Sequence, residues 1–177
     1  MKEMVRYGLT LALICVSASA SLAVVNSLTK SKIIEQAKIE EEASLKEVLK
    51  DAQKFEEIKL GDEVLFYKAF DKDNKFIGAA FKASGKGYSS VVETMVGMRK
   101  DGVITAIKVL SQNETPGLGA RIVEPSFTGQ FSDKNIEGLS DVQAITGATI
   151  SSRAVIESIK KKAREIKKLL ASESVSQ

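Results

Sequence analysis

The chain has 177 residues, 44% of them hydrophobic and 28% charged, with a formal net charge of +3, enough for one globular core and an appendage. So mild a charge, with no arginine-rich stripe interleaved with aromatics, gives no support for nucleic acid as a partner. There is no histidine, and the single cysteine, Cys15, lies in an apolar stretch. That composition excludes thiolate or imidazole metal sites, Cys-His and Ser-His catalysis and cysteine-held iron–sulfur clusters, so no metal site is predicted and any redox chemistry needs an organic cofactor.

YGLTLALICVSASASLAVV, Tyr7 to Val25, is uncharged, and the next charge is Lys30. The run is long enough to cross a hydrocarbon core. Residues 1–29 are predicted to be a retained anchor in contact with membrane lipid. Ala18-Ser19-Ala20 leaves a cleaved secretory signal as the alternative, and Ile14 ahead of Cys15 is wrong for a lipoprotein. Lys30 and Lys32 offset Lys2 and Arg6, so counting charges does not orient the span. The short basic head favours staying inside, which predicts a single pass of the cytoplasmic (inner) membrane with the domain on the extracytoplasmic side.

Ser31 to Glu57 reads as helix, with Leu45, Val48, Leu49, Ala52 and Phe55 on one stripe and Glu40 to Glu42 on a solvated stretch, so residues 30–60 form a stalk that becomes packed. After Gly61 the period changes to two. Glu63 to Phe70 and Lys75 to Ala83 flank Asp71-Lys72-Asp73-Asn74 as a hairpin; Ser90 to Arg99 and Val103 to Ser111 flank Lys100-Asp101-Gly102 as a second. Four such strands predict an antiparallel β meander, and with helices before and after it the class is α+β. Residues 112–152 hold both prolines and many serines, threonines and glycines. A segment so long without periodicity is functional or disordered, and Phe127, Phe131, Ile136 and Leu139 favour an ordered, irregular ligand loop. Ser152 to Leu170 is a C-terminal amphipathic helix, with Val155, Ile156, Ile159, Ala163 and Ile166 opposite a basic face. Residues 61–171 are thus the predicted domain and 172–177 a flexible tail.

Two stretches carry chemistry. DVQAITGATISS, Asp141 to Ser152, places Thr146, Gly147, Ala148, Thr149, Ser151 and Ser152 at a helix start with no acidic residue before Glu157 and with Arg153 in the first turn. Hydroxyls at an N-terminus suit a phosphate; ordinary capping by Ser151 or Ser152 explains the same pattern. In NETPGLGARI, Asn113 to Ile122, the glycines permit close backbone approach. Leu118 between them can cover a flat ring, with Glu114 at its polar edge. Ser84-Gly85-Lys86-Gly87 lacks the hydroxyl residue of a P-loop, and no G-x-G-x-x-G follows a strand, so a dinucleotide or ATP site is not expected.

ETPGLG (Glu114 to Gly119) and ITGAT (Ile145 to Thr149), in this order behind a single anchor, resemble the FMN-binding domain family that includes the G subunit of the Rnf electron-transport complex and the C subunit of the sodium-translocating NADH:quinone reductase. The compact length suits the former. The resemblance covers nearly the whole chain. It implies covalent FMN on Thr149 through a phosphoester installed by a separate flavin transferase, because a threonine hydroxyl is too weak a nucleophile unaided. It further implies that Thr146, Gly147 and Ala148 shape the acceptor turn with Ser151 and Ser152 behind it, and that Glu114, Thr115, Leu118 and Gly119 line the ring. On this reading the chain relays electrons within an ion-translocating ferredoxin:NAD oxidoreductase complex, beside other membrane and redox subunits, with no catalytic residue of its own. The alternatives are a stand-alone extracytoplasmic flavin carrier and a non-covalent ligand-binding or sensor module. One position departs from the pattern: Gln143 stands where the family's motif usually begins with aspartate, and Asp141 is two residues out of register.

Overall fold

The computed structural model describes residues 2–61 and 63–174, so Met1, Asp62 and Val175–Gln177 lie outside it. The fold class is α+β, as the sequence predicts: a long N-terminal apolar helix, an antiparallel sheet and a C-terminal helix. The chain divides into two compact units, Met1–Glu40 and Glu41–Gln177.

The first unit belongs to helix α1, Lys2–Val48, which contains an 18-residue window of mean hydropathy 2.1, none of it buried. It is long and apolar enough to span a bilayer, consistent with a membrane anchor. Several of its hydroxyls bond back into the helix, Ser17 Oγ donating to the Leu13 carbonyl and Ser21 Oγ to the Ser17 carbonyl, both at 2.9 Å.

The second unit is built on six strands: β1 Lys54–Leu60, β2 Glu63–Phe70, β3 Phe76–Lys86, β4 Val91–Arg99, β5 Val103–Ser111 and the two-residue β6 Lys134–Asn135. They lie in sequence order, each antiparallel to the next. The two predicted hairpins form at the predicted turns. Asp71 Oδ1 accepts from the Asp73 and Lys75 amides, both at 2.9 Å, Asn74 takes φ 56°, and Gly102 takes φ +89°.

Two expectations are corrected. The helix predicted to run to Glu57 ends at Val48, and Lys54–Leu60 is an edge strand paired with β2. Phe55 continues the spacing of Val48 and Ala52, so the stripe reads as helix, while the charges of KFEEIKL hide any alternation. Pairing overrides that local reading. The C-terminal helix, here α3, runs Thr149–Ser174 rather than Ser152 to Leu170. The predicted tail is therefore helical through Ser174, and its last three residues lie outside the described ones.

Each face of the sheet is covered by a helix. Val155, Ile156, Ile159, Ala163 and Ile166 of α3 pack on Phe66, Phe81, Val96, Met98 and Ile104. The last turns of α1 and the connection after it bring Leu45, Val48, Leu49 and Ala52 onto Tyr67, Ala69, Ala80 and Met95 on the other face. The approach is close on both sides. A Cβ on Gly85 would stand 2.3 Å from the Ala154 carbonyl oxygen, and one on Gly97 2.3 Å from that of Val48. The irregular stretch is ordered as short turns, a 3-10 turn at Gly119–Val123, α2 at Pro125–Thr128 and further 3-10 turns at Gly129–Phe131 and Gly138–Asp141, held down by buried Ile122, Phe127, Phe131 and Leu139.

Candidate functional site

Three connections meet at one end of the strands: Gly87–Ser90 between β3 and β4, the segment after β5 and the start of α3. Between them is a cavity of about 560 Å³ lined by Tyr88, Glu114, Thr115, Leu118, Gly119 and Gly147 to Ser151. That volume falls in the range of small-molecule sites. A larger space of about 630 Å³, lined among others by Lys50, Lys75, Arg99, Asp101 and Asp133, holds none of the expected site residues. Its walls, the end of α1 with the connection after it and the ends and turns of strands, bear charges of both signs, with Arg99 already paired to Asp133 at 3.1 Å, so the smaller cavity is the candidate.

The turn before α3 is built by its own side chains. Ser152 Oγ donates to the Ala148 carbonyl at 2.9 Å and accepts from the Ile145 amide at 3.0 Å, while the Ser152 amide reaches the same carbonyl at 2.9 Å. Gly147 sits at φ +82°, where L side chains are strained, with Leu118 Cδ2 3.3 Å from where its Cβ would be. The helix begins at Thr149, earlier than predicted, so amides of its first turn precede the first intrahelical bond. No acidic residue occupies that turn.

The five candidate threonine and serine hydroxyls divide by exposure and place. Ser151 and Ser152 are buried, Ser151 donating to Glu114 Oε2 at 2.5 Å. Thr146 is exposed but outside the cavity lining. Thr115 and Thr149 are exposed and line the cavity, and of the two only Thr149 stands at the start of a helix.

Glu114 is only 5% exposed. Its Oε1 accepts from the amides of Ser89 and Ser90 at 3.1 and 2.9 Å and from Ser90 Oγ at 3.3 Å; its Oε2 accepts from the Tyr88 amide at 3.1 Å and from Ser151 Oγ. Burial pushes this carboxyl's pKa up, but the hydrogen bonds from Ser151, Ser90, Ser89 and Tyr88 outweigh it and the net direction is below the ordinary value. Arg121, at the far end of the same loop, pairs with Glu124 at 3.2 Å.

Of the ten residues predicted for the site, eight line the cavity, and Thr146 and Ser152 do not. Two lining residues were missed, Tyr88 and Ile150, 71% and 56% exposed. Ile150 carries a readable signal: it lies off the apolar stripe of α3, so core packing does not account for it. Tyr88 offers only a hydrophobic ring in a Gly-Tyr-Ser-Ser turn. Gln143 is exposed, its backbone bracketed by the Gln130 side chain, with its amide donating to Gln130 Oε1 at 2.9 Å.

Residues 87–164, which contain all three connections, match the FMN-binding domain model, and residues 1–48 match the RnfG N-terminal region. The chain is 34% identical to the G subunit of the ion-translocating oxidoreductase complex of Methanosarcina acetivorans over 89% of its own length and 92% of that protein's. This chain belongs to the RnfG family. The G subunit of the proton-translocating ferredoxin:NAD(+) oxidoreductase complex of Clostridium ljungdahlii is 36% identical over 70% of each chain. A Na(+)-translocating counterpart from Acetobacterium woodii is 31% identical over 89% of each. Among solved structures, the C subunit of the Na(+)-translocating NADH-quinone reductase of Parabacteroides distasonis aligns over 58% of this chain and 60% of that one, at 24% identity and a TM-score of 0.48.

As a member of the RnfG family with an FMN-binding domain, the chain presents a cavity that fits the group. An exposed leucine and a tyrosine offer flat apolar surface, and a free hydroxyl stands at a helix N-terminus suited to a phosphate.

Proposed function

We propose that Thr149 carries FMN through a phosphoester and that the chain is an electron-relaying subunit of an ion-translocating ferredoxin:NAD oxidoreductase complex. The observation that carries the attachment is the partition of hydroxyls: of Thr115, Thr146, Thr149, Ser151 and Ser152, only Thr115 and Thr149 are both exposed and part of the cavity wall, and only Thr149 of these two opens a helix, where free amides can hold a phosphate. In the joining step Thr149 Oγ forms a bond to the flavin-phosphate phosphorus, loses its proton to a base, and a group already on that phosphorus leaves. Free FMN would have to expel hydroxide, so the fitting donor is a flavin dinucleotide whose pyrophosphate bond breaks and releases a nucleoside monophosphate. None of the described side chains beside Thr149 is placed as that base, since Glu114 is filled by donors, which supports a separate transferase.

When bound, the flavin supplies reversible electron transfer. The chain's residues would hold it: Leu118 and Tyr88 against the ring, Gly119 and Gly147 allowing close approach, and the α3 amides toward the phosphate. Its partners on this reading are the other membrane and redox subunits, the transferase and membrane lipid. The domain stands on the extracytoplasmic side of the cytoplasmic membrane, on the argument of the short basic head before the span.

The test is mass spectrometry of the full chain coexpressed with a flavin transferase. An FMN-sized increment on the peptide holding Thr149, absent from Thr149→Val, is expected. An unmodified peptide beside a transferase shown to work on another substrate removes the covalent assignment.

A further inference from the structure

The sequence places Glu114 at the ring's polar edge, yet its carboxylate has five donors within the protein and little of its surface is open. We propose that Glu114 is the positioning residue of this site: its carboxylate fastens the Tyr88–Ser90 turn to the first turn of α3 and so sets where Thr149 Oγ stands relative to Tyr88 and Leu118. This rests on Thr149 being the acceptor.

The geometry of a helix explains how the bond acts at a distance. Successive residues turn by about 100°, so residues two apart face nearly opposite ways. Ser151 points inward to Glu114 at 2.5 Å and is buried, and Thr149 is exposed. Holding Ser151 therefore fixes the rotation of the helix start about its axis, which fixes the heading of Thr149. The same carboxylate takes the amides of Tyr88, Ser89 and Ser90, so the tip that displays Tyr88 is referenced to the same point.

Only a carboxylate meets this demand. Every partner is a donor, two onto Oε2 and three onto Oε1. A glutamine would turn one acceptor into an N–H that faces other donors. The surroundings leave it no room to shift: a Cβ on Gly87 would lie 2.5 Å from Glu114 Oε1, and one on Gly119 2.8 Å from Glu114 Cβ and from Ser151 Oγ. Two glycines are thus shaped around this side chain. That closeness explains the second glycine of GLG, Gly119, as well as ring access does, while Gly117 has open space around it and answers to its φ of +75°.

The experiment uses the full chain in detergent, as wild type, Glu114→Gln, Ser151→Ala and the double variant, with hydrogen exchange and transferase kinetics as readouts. In the flavin-free wild type the Tyr88, Ser89 and Ser90 amides exchange slowly. Glu114→Gln speeds them and the amides opening α3, while amides in β4 and β5 keep their protection. With the transferase and a flavin dinucleotide, kcat for attachment falls by roughly tenfold to a hundredfold in Glu114→Gln, the loss that misplacing a reacting group brings, with KM little changed. The double variant is less impaired than the product of the singles, because both remove one bond. Unchanged exchange at Tyr88–Ser90 in Glu114→Gln overturns the proposal whatever the flavin does. So does an attachment rate equal to wild type, in which case Thr149 remains the acceptor. A wild type that shows the exchange pattern but takes no flavin removes the acceptor assignment and leaves the clamp standing.

Discussion

Thr94 Oγ1 is buried and has no hydrogen-bond partner, the only such side-chain atom among the described residues. Thr94 lies on β4 facing α3, between Ala83 and Val109 on the neighbouring strands. Sequence pattern placed it in a strand, but a threonine alternating with Val92 and Val96 gives no sign that its hydroxyl is stranded. Replacing that hydroxyl with a methyl of the same shape removes a desolvated group at no loss of packing. Thr94→Val should stabilise the fold by about 1 kcal/mol, read as a higher denaturant midpoint with an unchanged slope.

At the same scale, Gln143 is exposed while its backbone is held by Gln130. Gln143→Asp therefore leaves the turn intact and restores the carboxylate of the resembled motif. Faster flavin attachment than wild type, with the same melting temperature, is the expected outcome. Equal rates would show that the transferase does not read this position.

The elements divide into those whose shape is set locally and those set by contact. Both predicted hairpins carry their turn chemistry within a few residues, Asp71 and Asn74 in one and Asp101-Gly102 in the other, and both were legible. β1 was not, because its residues have the composition of a solvated helix and become a strand only through β2. The bond between Glu114 and Ser151 joins residues far apart in the chain, so the motif showed a glutamate near a glycine turn and could not show what it holds. Titration gives that link a signature. The Glu114 pKa is lowered in the fold, so its contribution is fully present above the ordinary value of 4.5 and is lost as pH falls through the depressed one. The difference in melting temperature between wild type and Glu114→Gln should hold constant through neutral pH and shrink only on acidification below the ordinary value. Exposed Glu137, held low by its bond to Arg164, titrates alike in both proteins and cancels from the comparison. A difference that instead vanished near neutrality would point to another group.

For the molecule as a whole, the position of the domain's edge follows from what the sheet needs covered. A boundary near residue 61, where period two begins in the sequence, would leave one face of the sheet bare. Leu45, Val48 and Leu49, all buried, pack there, and Glu41 bonds the Tyr67 hydroxyl at 2.6 Å and Lys82 at 2.7 Å. Each buried aliphatic side chain contributes roughly 1.5–3 kcal/mol, so losing three costs on the order of the 5–15 kcal/mol by which a domain is stable at all. A chain of residues 40–177, without the apolar span, should be soluble, monomeric in gel filtration and cooperative in its melt. A chain of residues 61–177 should aggregate or melt without a sharp transition, since it also lacks β1 and leaves β2 as an unpaired edge. Equal stability of the two would mean that the end of α1 and β1 contribute nothing to the flavin domain, and that the change of periodicity in the sequence marks its true beginning.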